Sequence, residues 1–478
     1  MKPIFKNLFC TGLAAWGCLS AGSPAWADPV PSPEDIKLPG FNRQRPSAVT
    51  YTIKNYSVSG NTSVSARSAA VVKDVLPNGL VCLNAEEPGS DMVVIDWLVR
   101  CGVSQEGSNL QGYNGLILQI LNNRISEDSG DDVTEITGSM VDDGPSQDFS
   151  RLSITASPAN AMFMLRRLCR AAAQDSFTEE EVERARQDTL NRMGDSGGTN
   201  GELYSIFLSC FYQLHPYKRT PQAVPVILKR ATAADITDYY RKNFTPDRTV
   251  ITAAGKINGR TVFETVREHL SKARPAAEKI MEVQWEPHAS EREVYLYSSS
   301  ELAWVLLGYQ APPLLSSDYA AMKVVYGVLG AGLSSRLWME LREKRGLAYE
   351  VGARYPELLG PSHLLCNVVT KPTSAGVARR RMLAEVKRLR EEGITQNELD
   401  EAKEKLLGMY LLERESLSGR ALHLGMAELS GLGFNADALF VQELQRVTTD
   451  DVKRAAERYL IEPTLIVARP GGRLYFDW

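Results

Sequence analysis

Histidine is scarce in this chain: there are five in 478 residues, and no two stand three to five positions apart. A zinc-binding helix uses two histidines on one face, and His215, His269, His288, His363 and His423 are too scattered to supply them. Cysteine is also sparse. Beyond the amino-terminal segment there are Cys82, Cys101, Cys169, Cys210 and Cys366, an odd and widely spaced set that indicates neither a disulfide framework nor a CxxC metal site. No GxSxG occurs and no Cys/His pairing stands out, which removes the common signatures of a serine or cysteine hydrolase. After residue 27 no apolar run is long enough to span a bilayer.

The first residues are MKPIFKNLFCTGLAAWGCLSAGSPAWADPV. Lys2 and Lys6, an apolar run and the small-x-small sequence Ala25-Trp26-Ala27 before Asp28 read as a secretory signal peptide, and so predict a periplasmic protein. Removing residues 1–27 takes away two of the 54 basic residues and none of the 58 acids, leaving a net charge of −6. That balance gives no reason to expect nucleic acid or an anionic membrane as a partner. Hydrophobic content of 44% and charged content of 23% are ordinary for a globular protein, and the length favours two domains.

Two matches at nearly the same spacing, 217 and 216, point to a duplication. FTEEEVERARQDTLNRM at 177–193 returns 217 positions later as ITQNELDEAKEKLLGMY, with Thr178, Glu181, Ala185 and Leu190 matched by Thr395, Glu398, Ala402 and Leu407. TAADITDYYRKNF at 232 returns as TTDDVKRAAERYL at 448, and each precedes an apolar run, TVITAAG and TLIVARPG. A threonine followed by acids is a helix-start signal, and repeats at a fixed period indicate repeated units. In each half, β-rich runs (MVVIDWLVRCG at 92–102, RLSITAS at 151–157, AWVLLGYQA at 303–311, SHLLCNVVT at 362–370) alternate with helical stretches. The expected fold class is α+β: two homologous domains, each a mainly antiparallel β-sheet covered by helices.

LPNGLVCL (76–83), WLVRCGVSQEG (97–107), the run from Leu214 to Arg248, LGAGLSSRLWMELREKRGLAYEVGARY (329–355) and the run from Leu389 to Ser416 together resemble the pitrilysin/insulinase family of zinc metallopeptidases, the inverzincins. The similarity covers roughly residues 70 to 470, and is to the two-domain branch that includes the mitochondrial processing peptidase. It implies a clamshell-like half chamber. The chain then divides into a signal peptide (1–27), an extension (28–50), a first peptidase-like domain (51–270), a linker (271–293) and a second domain (294–478).

In that family an HxxEH helix follows the strand equivalent to 92–102; its two histidines bind zinc and its glutamate activates water. Aligned with it, GYNGLILQIL at 112–121 places Gly115, Leu118 and Gln119 at those three positions, and the third ligand and an acid before it fall on Arg192 and Ala185. Glycine and leucine offer a metal no lone pair, and a fixed cation repels it. The expectation is therefore no metal in this chain, with Leu116, Ile117, Ile120 and Leu121 serving a hydrophobic core.

The family's Arg-x6-Tyr pair is kept, as Arg342 and Tyr349. The resemblance implies that these donate hydrogen bonds to a peptide or to a developing oxyanion, a role for which a guanidinium and a phenol are suited. It implies substrate contact for Gly330, Gly332, Ser334 and Ser335 in the preceding glycine-rich loop. On the residues alone, Arg342 also fits a solvated helix face, Tyr349 fits a strand start after the Gly346 helix stop, and His215 fits a packed structural residue. Two functions are consistent with this pattern. One is a zinc-free subunit paired, as heterodimer or heterotetramer, with a homologous chain whose intact HxxEH holds the zinc, acting on an extended peptide. The other is a non-catalytic peptide-binding or scaffold protein.

Overall fold

The apolar runs singled out above become the central strands of two sheets. A computed structural model describes residues 51–52, 70–128, 131–193, 198–221, 224–276 and 292–471. The expected signal peptide and extension lie outside these residues, as does most of the linker.

The first half contains strands β1 (Tyr51–Thr52), β2 (Ala70–Val75), β3 (Val81–Glu86), β4 (Val93–Val99), a small ribbon of β5 (Glu127–Asp128) and β6 (Asp131–Asp132), then β7 (Met140–Pro145), β8 (Ser150–Ala156) and β9 (Thr249–Gly255). The main sheet has the order β1-β2-β3-β9-β4-β8-β7. Only β3 and β9 run parallel in it. The second half contributes β10 (Arg292–Ser298), β11 (Ala303–Ala311), β12 (Ala348–Arg354), β13 (Ser362–Thr370) and β14 (Thr464–Pro470), in the order β10-β14-β11-β13-β12. Here β10 and β14 form the one parallel pair. Both sheets are thus mainly antiparallel, as expected.

Helices α1 (Tyr113–Ser126), α2 (Val133–Thr137), α3 (Pro158–Ala173), α4 (Glu179–Met193), α5 (Gly198–Tyr212), α6 (Pro225–Leu228), α7 (Ala233–Asn243) and α8 (Gly259–Leu270) belong to the first half. The second has α9 (Tyr319–Leu329), α10 (Arg336–Trp338), α11 (Ala375–Glu392), α12 (Gln396–Glu413), α13 (Leu417–Leu429), α14 (Ala436–Arg446) and α15 (Thr449–Tyr459). Leu116 and Ile117 of α1, Met164 of α3, Val182 of α4, Ile236 of α7 and Val262 of α8 form one core with the first sheet. No helix among the described residues is long and apolar enough to cross a membrane.

The duplication is visible in side-chain detail. Thr178 and Glu181 cap each other's backbone N–H groups at the start of α4, and Thr395 and Glu398 do the same at α12. The Thr232/Asp235 and Thr448/Asp451 boxes at α7 and α15 repeat the device. Arg124 at the end of α1 grips Glu181 through Nε and Nη2 at 2.7 and 3.0 Å. Arg336 grips Glu398 at 2.7 and 2.9 Å through the same atoms. The second-half counterpart of α1 is therefore α9, the glycine-rich loop and α10 taken together.

Each half closes the other's sheet. Leu203, Phe207 and Phe211 of α5 pack with Leu306, Leu365 and Ile466 of the second sheet. In return, Ala421 of α13 packs on Val94 and Ala254 of the first, and Thr252 Oγ1 donates to the Ala421 carbonyl at 3.1 Å. Arg420 reaches Glu87 at 2.9 Å. With both faces covered, every residue of β4 and β9 is buried, which is why these strands read as continuous apolar runs and do not alternate.

Candidate functional site

Helix α1 holds the positions where a metal motif would stand. Glu106, in the preceding loop, accepts the Gly112 and Asn114 N–H groups at 2.9 and 2.8 Å and so satisfies two of the helix's open donors. Burial pushes its carboxyl up to about 7, against the pull of those two N–H groups and of Arg219. Leu116, Ile117, Ile120 and Leu121 are all at most 1% exposed, as expected of core residues. Leu118 is wholly buried among them. Gln119 Nε2 donates to Asn123 Oδ1 at 2.7 Å. Ala185 is buried in α4, which packs on α1. Arg192 lies in the last turn of α4, and its side chain is outside the described residues. A glycine, a leucine, an amide and an alanine do not fit a zinc ion. Among the described residues no three His, Cys, Asp or Glu side chains are grouped as a metal would need.

The second half brings Arg342 and Tyr349 together. Residues Met339–Glu343 form a wide π-turn in which Lys344 N–H reaches the Met339 carbonyl at 2.9 Å, a distortion found often at functional sites. Gly346, at φ +59°, stops it, with Gly346 N–H on the Arg342 carbonyl and Leu347 N–H on the Leu341 carbonyl. The chain then enters edge strand β12, whose register with β13 slips between Ala348 and Glu350. Tyr349 is the extra residue of this bulge, and bulges re-aim side chains. Its side chain is exposed, at 51%, and its hydroxyl has no hydrogen-bond partner among the described residues. Arg342 is exposed too; Nη1 donates to the Tyr349 carbonyl, and the guanidinium stands 4.5 Å over the Trp338 ring. Trp338, one helical turn earlier, therefore fixes the orientation of Arg342. Its i, i+4 spacing from Arg342 was legible in the sequence.

The glycine-rich loop between α9 and α10 is built for close packing. Gly330 lies against β12: a Cβ there would fall 2.4 Å from Ala353 Cβ. Gly332 adopts φ +78°. Lys405 of α12 ties the loop down, donating to the Gly327 and Ala331 carbonyls at 3.1 and 2.7 Å and to Ser334 Oγ at 3.1 Å. Ser334 is exposed, whereas Ser335 is 1% exposed and its Oγ has no partner among the described residues. Of the four loop residues expected at a substrate, Ser334 alone presents a side-chain polar atom at the surface. Lys405 went unrecognised because its role depends on a contact some seventy residues away in sequence, of a kind no local pattern encodes.

His215 is buried at 5%; its Nδ1 accepts the Tyr217 N–H at 3.2 Å, and its ring lies against Tyr212 and Tyr217. It is a packed residue at the start of a short turn, as its isolation in the sequence suggested.

With this geometry in hand, comparison with known proteins gives the class. Residues 230–406 match the family model described as the Peptidase M16 inactive domain. The zinc protease PqqE of Helicobacter pylori is 25% identical over 419 residues, 83% of this chain and 92% of that protein. A non-peptidase homolog from the same organism, YmxG, is 28% identical over 225 residues, 46% of this chain and 50% of its own. A protease from H. pylori superimposes with a TM-score of 0.75 at 22% identity, over 84% of this chain and all of the other. A peptidase M16 inactive domain from Pseudomonas fluorescens gives 0.72, also at 22% identity, over 84% and 99%. These two likenesses speak for the fold. The chain is thus similar to the pitrilysin/insulinase, or M16, metallopeptidases, and its sequence contains no HxxEH.

Proposed function

We propose that this chain is the zinc-free, exported subunit of a two-chain metallopeptidase, acting in the periplasm and binding no metal itself. Its partner is a homologous chain with an intact HxxEH, which holds the zinc; the substrate is a peptide in extended form. The observation that carries this reading is the contrast between the halves. The α1 positions have been given over to core packing, while Arg342 and Tyr349 stay exposed, adjacent and oriented by a bulge, a π-turn and Trp338. A structural arginine needs none of that apparatus, and a structural tyrosine would bury its ring.

Chemically, the pair supplies donors. The guanidinium holds substrate carbonyls, and the Tyr349 hydroxyl donates to the oxygen on which negative charge develops when water attacks the peptide bond. The relatives support a family in which catalytic and non-catalytic members coexist, since one carries the name zinc protease and another non-peptidase homolog. The test is reconstitution. The purified chain alone is expected to leave an unfolded peptide intact and to contain no stoichiometric zinc. Mixed with a homologous exported chain bearing HxxEH, it is expected to form a stable complex that cleaves the peptide and is stopped by a chelator. Chelator-sensitive cleavage by the chain alone would overturn the proposal.

A scaffold role is favoured by one observation: Arg342 already spends a donor on the Tyr349 carbonyl and its face on Trp338. In that case the pair would shape the loop and contact no substrate.

A further inference from the structure

A half-open pocket of about 370 Å³, with neither Arg342 nor Tyr349 in its lining, is formed by α9, α13, α14, the end of α12 and the 314–317 segment, together with Glu357, Leu359 and, from the first half, Asp148 and Phe149. Its walls are largely apolar, with Leu314, Leu429, Leu432 and Phe440 prominent. This volume suits a small molecule, and a few polar groups converging on an apolar pocket are the usual mark of a binding site.

The polar groups have one sign to offer. Glu357 receives two hydrogen bonds, from Tyr319 Oη at 3.1 Å and Lys323 Nζ at 3.2 Å, and both arrive at Oε1. Asp437 also receives two, from Tyr410 Oη and from Arg414 Nε at 2.9 Å, and both arrive at Oδ1. Neither Glu357 Oε2 nor Asp437 Oδ2 accepts a hydrogen bond from the described residues, although both side chains line the cavity. Burial alone would raise the Glu357 carboxyl, but Lys323 above all, with His423 and Arg414, holds it at about 2, so it is ionised at neutral pH. The lining guanidinium, Arg414, is already committed: it bonds Asp437 and the Tyr410 carbonyl, and lies 3.4 Å over the Tyr410 ring. His423 is kept neutral, its pKa pushed down to about 4 by burial and by Arg414.

We infer that this cavity is a binding site for a small amphiphilic cation, whose ammonium or guanidinium group meets Glu357 Oε2 and Asp437 Oδ2 while its apolar body fills the space between Leu314, Leu429, Leu432 and Phe440. Such a ligand takes the place of water at these two carboxylates, whose side chains are 31% and 46% exposed, and buries apolar surface against the walls. An anion of the same shape would face two carboxylates with no uncommitted cation in the lining, which discriminates strongly against it. The site is independent of any zinc-bearing partner.

The experiment is isothermal titration of the full mature chain with two probes of nearly equal shape, tryptamine and indole-3-propionate. Each has roughly a dozen heavy atoms, within the capacity of such a site. Tryptamine is expected to bind saturably at submillimolar concentration and indole-3-propionate not at all. Glu357→Gln and Asp437→Asn should each weaken tryptamine by about tenfold. Glu357 also anchors Lys323, so each variant is first checked for an unchanged circular dichroism spectrum; should Glu357→Gln not fold, Asp437→Asn carries the test. Absence of tryptamine binding, equal binding of both probes, or tryptamine affinity unchanged by the folded variants would overturn the assignment.

Discussion

The two glycines of the loop before Arg342 should respond very differently to the same substitution, for different physical reasons. At Gly330 φ is −147°, outside the left-handed region that favours glycine, but the space for a side chain is not there. An alanine Cβ would sit 2.4 Å from Ala353 Cβ and 3.0 Å from Ala353 N, where carbon atoms rest at about 3.5 to 4.0 Å. Both colliding groups are fixed to backbone, so either the loop or β12 must move by about 1 Å. Overpacking of this kind costs about 1 to 3 kcal/mol, and the rigidity of both partners argues for the upper end. At Gly332 the space is free, with Lys405 Cδ nearest at 3.6 Å, but φ is +78°. Alanine there costs about 1 kcal/mol for the left-handed backbone. Urea unfolding should therefore give a clearly lower midpoint for Gly330→Ala than for Gly332→Ala at similar slopes. Because Ala353 lies in the strand that presents Tyr349, Gly330→Ala should also depress turnover of the reconstituted pair. A Gly332→Ala effect equal to or larger than that of Gly330→Ala would refute this account of the loop.

Three further outcomes are expected. Combining Gly115→His, Leu118→Glu and Gln119→His should not create a zinc peptidase: a carboxylate at the wholly buried Leu118 position costs several kcal/mol, and Arg192 is left at the third-ligand position. Tight stoichiometric zinc with cleavage by that triple variant would disprove the placement. Second, stability should fall as pH drops below 6.5. Burial and then Arg354 push His363 down to about 3, and burial and then Arg414 push His423 down to about 4, from 6.5. Stability from a depressed histidine is complete above its unfolded pKa and lost as pH falls toward the folded value, on the order of 5 kcal/mol for the two by pH 4.5. A thermal midpoint flat from pH 7 to 5 would contradict this. Third, Trp338→Ala should free the Arg342 guanidinium and weaken peptide binding by the pair by about fivefold, read as KM; an unchanged KM would show that the stacking does not position Arg342.

Much of the architecture was legible because it rests on local patterns. AWVLLGYQA and SHLLCNVVT are strands over their full quoted lengths, and the Thr/acid signals at 178, 232, 395 and 448 are all helix caps. The core role of Leu116, Ile117, Ile120 and Leu121 followed from the resemblance, which put this apolar stretch on a helix with its metal-binding residues lost. The crossing of α5 and α13 between halves was not legible: an amphipathic helix records that it has an apolar face and does not record which sheet will cover it. The bulge at Tyr349, the hold of Lys405 on the loop and the cavity beside Glu357 depend on contacts distant in sequence, and for the same reason needed the structure. Ser335 illustrates the limit of motif transfer, since it stands in the expected loop and is buried in it.

The most direct test of the central proposal is the turnover of the reconstituted pair with wild-type chain against Tyr349→Phe. The substitution removes one hydroxyl that bonds nothing among the described residues and leaves the exposed ring in place, so folding and association should be unchanged. If the hydroxyl donates to the developing oxyanion in the partner's zinc site, kcat should fall by about tenfold to a thousandfold with little change in KM. An unchanged kcat in an intact complex would contradict the proposal and leave Arg342 and Tyr349 as structural features of a scaffold.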